Sequence, residues 1–211
     1  MIDILLSMPP DRFWSFLVGA LVVNFAPGAD MVFATACGIV GGPRVGAAAG
    51  FGAGTGVLVH IALAALGLSA LIAAHPQALL VIRWLGAGYL IWLAWQSWRA
   101  GTTVGKGRGT PSGWQAYRRG VLSNVLNPKP VLFMLAFLPQ FLAPASDTAA
   151  APVWQQIMAL GGLFAVTGTL VTVGYGVLAG YAGRILAARM GVLNKVSAVL
   201  FGALALRLLL D

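Results

Sequence analysis

Apolar residues run through this chain in stretches too long to be one face of a soluble helix, and polar residues gather at a few points between them. Between Arg44 and Arg83 no residue carries a formal charge, and between Pro130 and Arg184 only Asp147 does. About 20 apolar residues cross a bilayer once, so each stretch predicts two spans with a turn between them. Apolar length, proline and glycine breaks and charge punctuation together place helices at 13–37, 45–73, 78–98, 120–142, 153–181 and 191–210. His75-Pro76-Gln77 supplies the expected turn between the second and third helices, and 144–152 the turn between the fourth and fifth. Residues 99–119 and 182–190 form two polar connections.

The apolar runs are interrupted at two matching places. Asn24-Phe25-Ala26-Pro27-Gly28-Ala29-Asp30 and Asn124-Val125-Leu126-Asn127-Pro128-Lys129-Pro130 each set a proline among polar residues, and Pro27 and Pro128 lie 101 positions apart in a chain of 211. Three helices per half force the halves into opposite orientations. The expected fold is therefore an all-α integral membrane protein of six transmembrane helices, arranged as two inverted three-helix repeats with helices 1 and 4 broken. Repeat one covers about 13–98, repeat two about 120–210, and together they make one transmembrane domain over 1–211. Broken helices at matching points of two halves point to a transporter's substrate site, with one half rocking against the other.

Composition supports the membrane assignment: 59% of residues are hydrophobic, 9% are charged and the mean hydropathy is +0.88, which excludes an ordinary soluble domain. Thirteen Lys and Arg face five Asp and no Glu, a net charge of +8. The basic residues form no aromatic-interleaved patch of the kind that binds nucleic acid. They cluster at span ends, so the expected contact is anionic lipid and not nucleic acid. Nine of them, Arg44, Arg99, Lys106, Arg108, Arg118, Arg119, Arg184, Arg189 and Lys195, fall on alternate connections, while the loops near 75 and 147 hold none. The positive-inside rule then puts the loops at 40, 110 and 186 in the cytoplasm and both termini outside. Arg83 is expected to snorkel to the interface beside Trp84, and Trp92, Trp95 and Trp98 read as an interfacial belt. Ala34-Thr35-Ala36-Cys37 has the look of a lipoprotein cleavage site, but no basic region precedes it and Asp30 interrupts the apolar run, so 13–37 reads as a retained helix.

The candidate chemistry sits at the breaks. Pro27 removes a backbone donor and Gly28 permits a bend, which frees carbonyls near Val23 and Asn24 for the amino and carboxylate groups of a zwitterion. Asp30 and Lys129 are charges inside or at the edge of spans, where charge is costly and marks a pathway or a partner. Asp30 suits a substrate ammonium or a coupling proton, and Lys129 a carboxylate or Asp30 itself; the alternative is that both anchor helices at the interface. Asn24, Asn124 and Asn127 either bind substrate or cap free backbone groups. Pro128 is the second helix breaker.

Elsewhere the bland readings lead. Gly46, Gly50 and Gly54, with Gly52 and Gly56 one face away, form a ridge that lets another helix approach closely. His60, 14 residues after Gly46, points roughly along that ridge and is either a proton relay or a packing residue. The hydroxyls of Thr167, Thr169 and Thr172 either line a pathway or bond their own backbone. His60, His75 and the single cysteine, Cys37, have no metal-ligand spacing, and no nucleotide loop or nucleophile-base-acid set is present, so neither an enzyme, a cofactor nor a metal centre is expected.

The chain resembles the LysE/RhtB family of bacterial amino-acid exporters almost end to end. Pro27-Gly28-Ala29-Asp30 is similar to that family's Pro-Gly-Pro-Asp signature, with Ala29 in place of the second proline. The glycine-spaced second helix from Gly42-Pro43-Arg44-Val45-Gly46 to Gly56, the segment Gly86-Ala87-Gly88-Tyr89-Leu90, and Gly120 through Asn127-Pro128-Lys129 match its later helices. The resemblance implies six helices, an inner-membrane location, and export of amino acids or their derivatives driven by the proton gradient. It carries over Pro27, Gly28, Asp30, Asn127, Pro128 and Lys129 as motif residues, with an amino acid and protons as partners and a homodimer as one possible assembly. The rival readings are a metal or other cation exporter of the same architecture, which one cysteine, two histidines and no glutamate disfavour, and a non-transporting assembly subunit, which has no use for two polar breaks.

Overall fold

The computed structural model describes residues 2–74, 78–99, 112–143 and 150–210, and every regular element among them is helical. A short α1 (Ile2–Leu6) precedes α2 (Pro10–Phe25), which Pro10 opens from the first turn, where its missing N–H costs nothing. Then come α3 (Ala29–Gly41), α4 (Pro43–Ala74), α5 (Ala78–Arg99), α6 (Gly113–Val125), α7 (Pro128–Leu132) and α8 (Val153–Leu210). Between α7 and α8 the chain makes a π-helical turn (Phe133–Phe137) and a 3₁₀ turn (Leu138–Phe141). The stretches Pro43–Gly67 and Val153–Ala182 are each long and apolar enough to cross a bilayer, and so is each of two bent pairs taken as one span.

Those bent pairs are the breaks foreseen in the sequence. The residue before a proline is pushed out of the helical region, and both sites obey: Ala26 has φ −66° and ψ 130°, Asn127 φ −82° and ψ 119°. Helices α2 and α3 meet at 52°, and α6 meets the segment Pro128–Phe141 at 44°. Helix α3 ends at Gly42, whose φ of +82° is a left-handed conformation that glycine adopts freely, and α4 starts one residue later.

Other boundaries moved. The fourth helix begins at Gly113 instead of near 120, because Ser112 and Gln115 form a capping box, with Gln115 N donating to Ser112 Oγ at 3.2 Å and Ser112 N to Gln115 Oε1 at 3.3 Å. Arg118 and Arg119 are thus helical and not loop residues. The connection expected at 182–190 is helical backbone, with a single break at Ala182 (φ −137°, ψ 37°). Its Ile, Leu, Ala, Arg and Met residues favour helix, and no proline ends it. The turn at His75-Pro76-Gln77, residues 100–111 with Lys106 and Arg108, residues 144–149 with Asp147, and the side chains of Arg83, Arg184 and Arg189 lie outside the described residues.

Helix α4 packs between α6 and α8, and its glycines decide how closely. A side chain at Gly46 would strike the backbone of Gly176, and one at Gly50 or Gly54 would strike Val173 or Thr169, all on α8. On the other face Gly52 and Gly56 admit Tyr117 and Asn124 of α6, and Gly120 in turn admits Ala49. In a membrane, where lipid is as apolar as leucine, such close backbone approach is what holds helices together. The small residues Ala34, Cys37, Ala49 and Ala116 form a compact core at this end.

The opposite end is aromatic. Phe16, Phe133, Phe137, Phe141, Phe164 and Phe201 belong to one large buried cluster, in which Phe133 stacks on Phe164 with centroids 4.2 Å apart and Phe16 meets Phe141 edge-on at 5.3 Å. Gly19 makes room for the Phe137 ring. Trp84, Trp92, Trp95 and Trp98 are exposed along α5, and the Arg99 guanidinium lies 4.6 Å from the Trp95 ring centre.

Candidate functional site

Between the aromatic end and the small-residue end lies a layer of buried polar side chains: Asn24, Asp30, His60, Asn124, Asn127 and Lys129 are each at most 8% exposed. Burying so many polar groups is tolerable only if each finds partners, and they find them across the two breaks.

The first break supplies acceptors. Pro27 has no N–H, so the carbonyl of Val23, four residues earlier, loses its helical donor. The Lys129 ammonium takes its place, donating to Val23 O at 3.2 Å and to Ala26 O at 2.9 Å. Gly28 is extended, a conformation open to any residue, and its role is space: a Cβ there would lie 3.0 Å from Lys129 Nζ and 3.1 Å from Asp30 Oδ1. Both charged groups therefore crowd the point that glycine leaves empty.

The second break supplies donors. Asp30 sits in the first turn of α3, the electropositive end of that helix, and its carboxylate accepts from Asn124 Nδ2 and Asn127 Nδ2, each at 3.1 Å. Asn127 also caps α7, its Oδ1 accepting from Lys129 N at 3.0 Å. Pro128 denies the carbonyl of Asn124 its helical donor, and that carbonyl accepts instead from Asn127 N at 2.9 Å, with His60 Nε2 hydrogen-bonded to it at 3.0 Å. A carbonyl only accepts, so His60 carries its proton on Nε2. The histidine thus meets α6, the side of Gly52 and Gly56, and not the Gly46 face that faces α8.

Asn24 is near the others but turned away from them. Its amide donates to Phe164 O at 3.2 Å and Thr167 Oγ1 at 2.9 Å, tying the first break to α8, where Gly168 leaves space for it. Thr167 and Thr169 donate to Leu163 O and Ala165 O, so these hydroxyls satisfy their own helix as the bland reading expects. Asn24, Asp30, Asn124, Lys129 and Thr172 line one cavity with Val57, Phe164 and Gly168, and it holds about 10 Å³, the space of a single water. The Asn124 Oδ1 at its edge is buried without a hydrogen-bond partner. A second cavity of about 210 Å³, lined by His60, Leu63, Ala64, Val131, Met134 and Leu135, adjoins along α4 and is almost wholly apolar.

Sequence reading found the polar members of this site and missed Val57, Phe164 and Gly168. Nothing in an apolar run marks which residue faces a cavity, and Gly168, set between Thr167 and Thr169, was the one available signal. Asp30, read as a partner for a substrate ammonium or a coupling proton, and Lys129, read as a partner for a carboxylate or for Asp30, are each hydrogen-bonded to groups of the opposite break. Among the described residues, no group of three His, Cys, Asp or Glu side chains gathers where a metal ion would bind.

Residues 21–211 match the family described as LysE type translocator. An uncharacterized membrane protein of Vibrio cholerae is 35% identical over 172 residues, 81% of this chain and 82% of the relative. The homoserine/homoserine lactone efflux protein of Salmonella typhi is 32% identical over 168 residues, 79% of each chain. A leucine efflux protein of an Enterobacter species is 33% identical over 135 residues, 62% of this chain and 64% of the relative. No solved structure matches the chain.

Proposed function

The chain belongs to the LysE type translocator family, membrane transporters and not enzymes, and from that premise we propose that it exports amino acids or their derivatives through the polar layer at the two breaks. Relatives named for homoserine and leucine efflux support the substrate class. The observation that carries the reading is the cross-engagement of the breaks. A cation from the second helix break satisfies carbonyls of the first, and amides of the second satisfy the carboxylate of the first.

The site has the form of a closed state. Its cavity is too small for any amino acid, and it lies between an aromatic plug and a tightly packed small-residue end. Transport then requires the two ends to open in turn, by alternating access of two inverted three-helix repeats in a six-helix bundle. Asp30 is the coupling acid in this reading. With Asp30 ionised, Asn124 and Asn127 hold the breaks together through charge-assisted hydrogen bonds; protonation removes the charge, turns one oxygen into a donor and loosens them. Proton entry and opening are thereby one event. Basic residues on alternate connections support an inner-membrane orientation with both termini outside.

The test is efflux of labelled amino acids from vesicles reconstituted with the purified protein, with and without an imposed proton gradient. Efflux of at least one amino acid, accelerated by the gradient, is expected; no protein-dependent efflux of any amino acid overturns the reading.

A further inference from the structure

The Lys129 ammonium occupies a place built for an ammonium. Two carbonyls converge on it at 3.2 and 2.9 Å, one of them stranded by Pro27, and the Asp30 carboxylate crowds the same glycine-vacated point. Resting on the export reading above, we infer that this cradle is the binding site for the substrate's α-ammonium, and that Lys129 is a tethered stand-in which the substrate displaces.

Three observations converge. The cradle is buried, with Lys129 6% and Asp30 8% exposed, and two ammonium groups cannot share it at low dielectric, so occupation by one expels the other. The adjoining cavity of about 10 Å³ admits no substrate while the lysine is in place. The groups that meet the ammonium are acceptors: two carbonyls, with the Asp30 carboxylate crowding the same point. Acceptors select a donor cation, and the amide donors of Asn124 and Asn127 already serve the Asp30 carboxylate.

It follows that the ligand class is wider than amino acids and is bounded on one side only. A primary ammonium is required, whereas the carboxylate is optional, because its partner, the displaced Lys129, is not part of the cradle. The Salmonella typhi relative is named for both homoserine and its lactone, two compounds that share the ammonium and differ in the carboxylate. Esters, amides and lactones of amino acids are therefore ligands, and N-acylated amino acids are not.

The experiment uses reconstituted wild-type vesicles and a labelled reporter, leucine or homoserine, whichever is exported. Its amide and its N-acetyl derivative are loaded with it as competitors. The amide is expected to inhibit within about threefold of the unlabelled amino acid, and the N-acetyl compound at least tenfold more weakly. Equal inhibition by both, or stronger inhibition by the N-acetyl compound, overturns the assignment while leaving export intact; absence of any reporter efflux overturns export instead. As a second readout, amine-directed labelling of Lys129, followed by mass spectrometry, is expected to rise with the amino acid and its amide and to stay at baseline with the N-acetyl compound. A rise with all three, or with none, contradicts displacement.

Discussion

Lys129 Nζ, on the second broken helix, donates to the carbonyl oxygen of Val23, the acceptor that Pro27 leaves without a helical partner on the first. One proline creates the vacancy, and a lysine about a hundred residues later fills it. The two halves of the chain are joined at the depth where each is locally least helical.

Restoring the helical donor should undo this link. In Pro27→Ala the new N–H of residue 27 competes with Lys129 for Val23 O, α2 extends toward α3, and the cradle closes. Efflux from vesicles is expected to fall at least tenfold, with the amount of protein in the membrane unchanged on immunoblots.

Asn127 has two tasks that can be separated. Asn127→Ala removes the cap of α7 and one donor to Asp30, and caps are worth about 1 kcal/mol, so a loss of about 1–2 kcal/mol in thermal unfolding in detergent is expected. Asn127→Asp keeps the cap but sets a second carboxylate against Asp30. It is expected to unfold at a midpoint no lower than the alanine variant's at acidic pH, and to transport more slowly than that variant at neutral pH.

The glycine ridge offers a matched pair. A side chain at Gly176 meets the backbone of Gly46, whereas one at Gly174 has open space. Gly176→Leu is expected to cost about 3 kcal/mol or to prevent folding, since backbone cannot yield as a side chain does, while Gly174→Leu stays within about 1 kcal/mol. Thermal unfolding of the two variants side by side is the measurement.

Orientation is tested on a Cys37→Ser background. A cysteine replacing Lys106 is expected to react with a membrane-impermeant maleimide only after cells are opened, and one replacing Asp147 in intact cells. The reverse pattern contradicts the assignment of both termini to the outside.

Much of this molecule was legible in its residues because the signals are chemically costly. Prolines at 27 and 128 and charges at 30 and 129 have no cheap place in lipid, and in the structure they lie at the two breaks, whose polar side chains meet. Helix boundaries at 113 and 182 were less legible: a capping box outweighed the basic residues Arg118 and Arg119, and a run of good helix formers outweighed the positive charge expected to mark a loop. The partners were invisible. No spacing tells that Asn24 turns to Thr167 and not to Asp30, or that His60 meets Asn124, because the first pairing depends on the space Gly168 leaves on α8 and the second on how Gly56 lets α4 settle against α6.

The account stands most directly on Asp30, the one carboxylate among the described residues of the polar layer. Proton-gradient-driven efflux should be measured for wild type and Asp30→Asn at matched protein density in vesicles. Loss of gradient-driven efflux to the level of empty vesicles is expected; efflux by the asparagine variant within twofold of wild type would contradict a central site in which this carboxylate couples the two breaks.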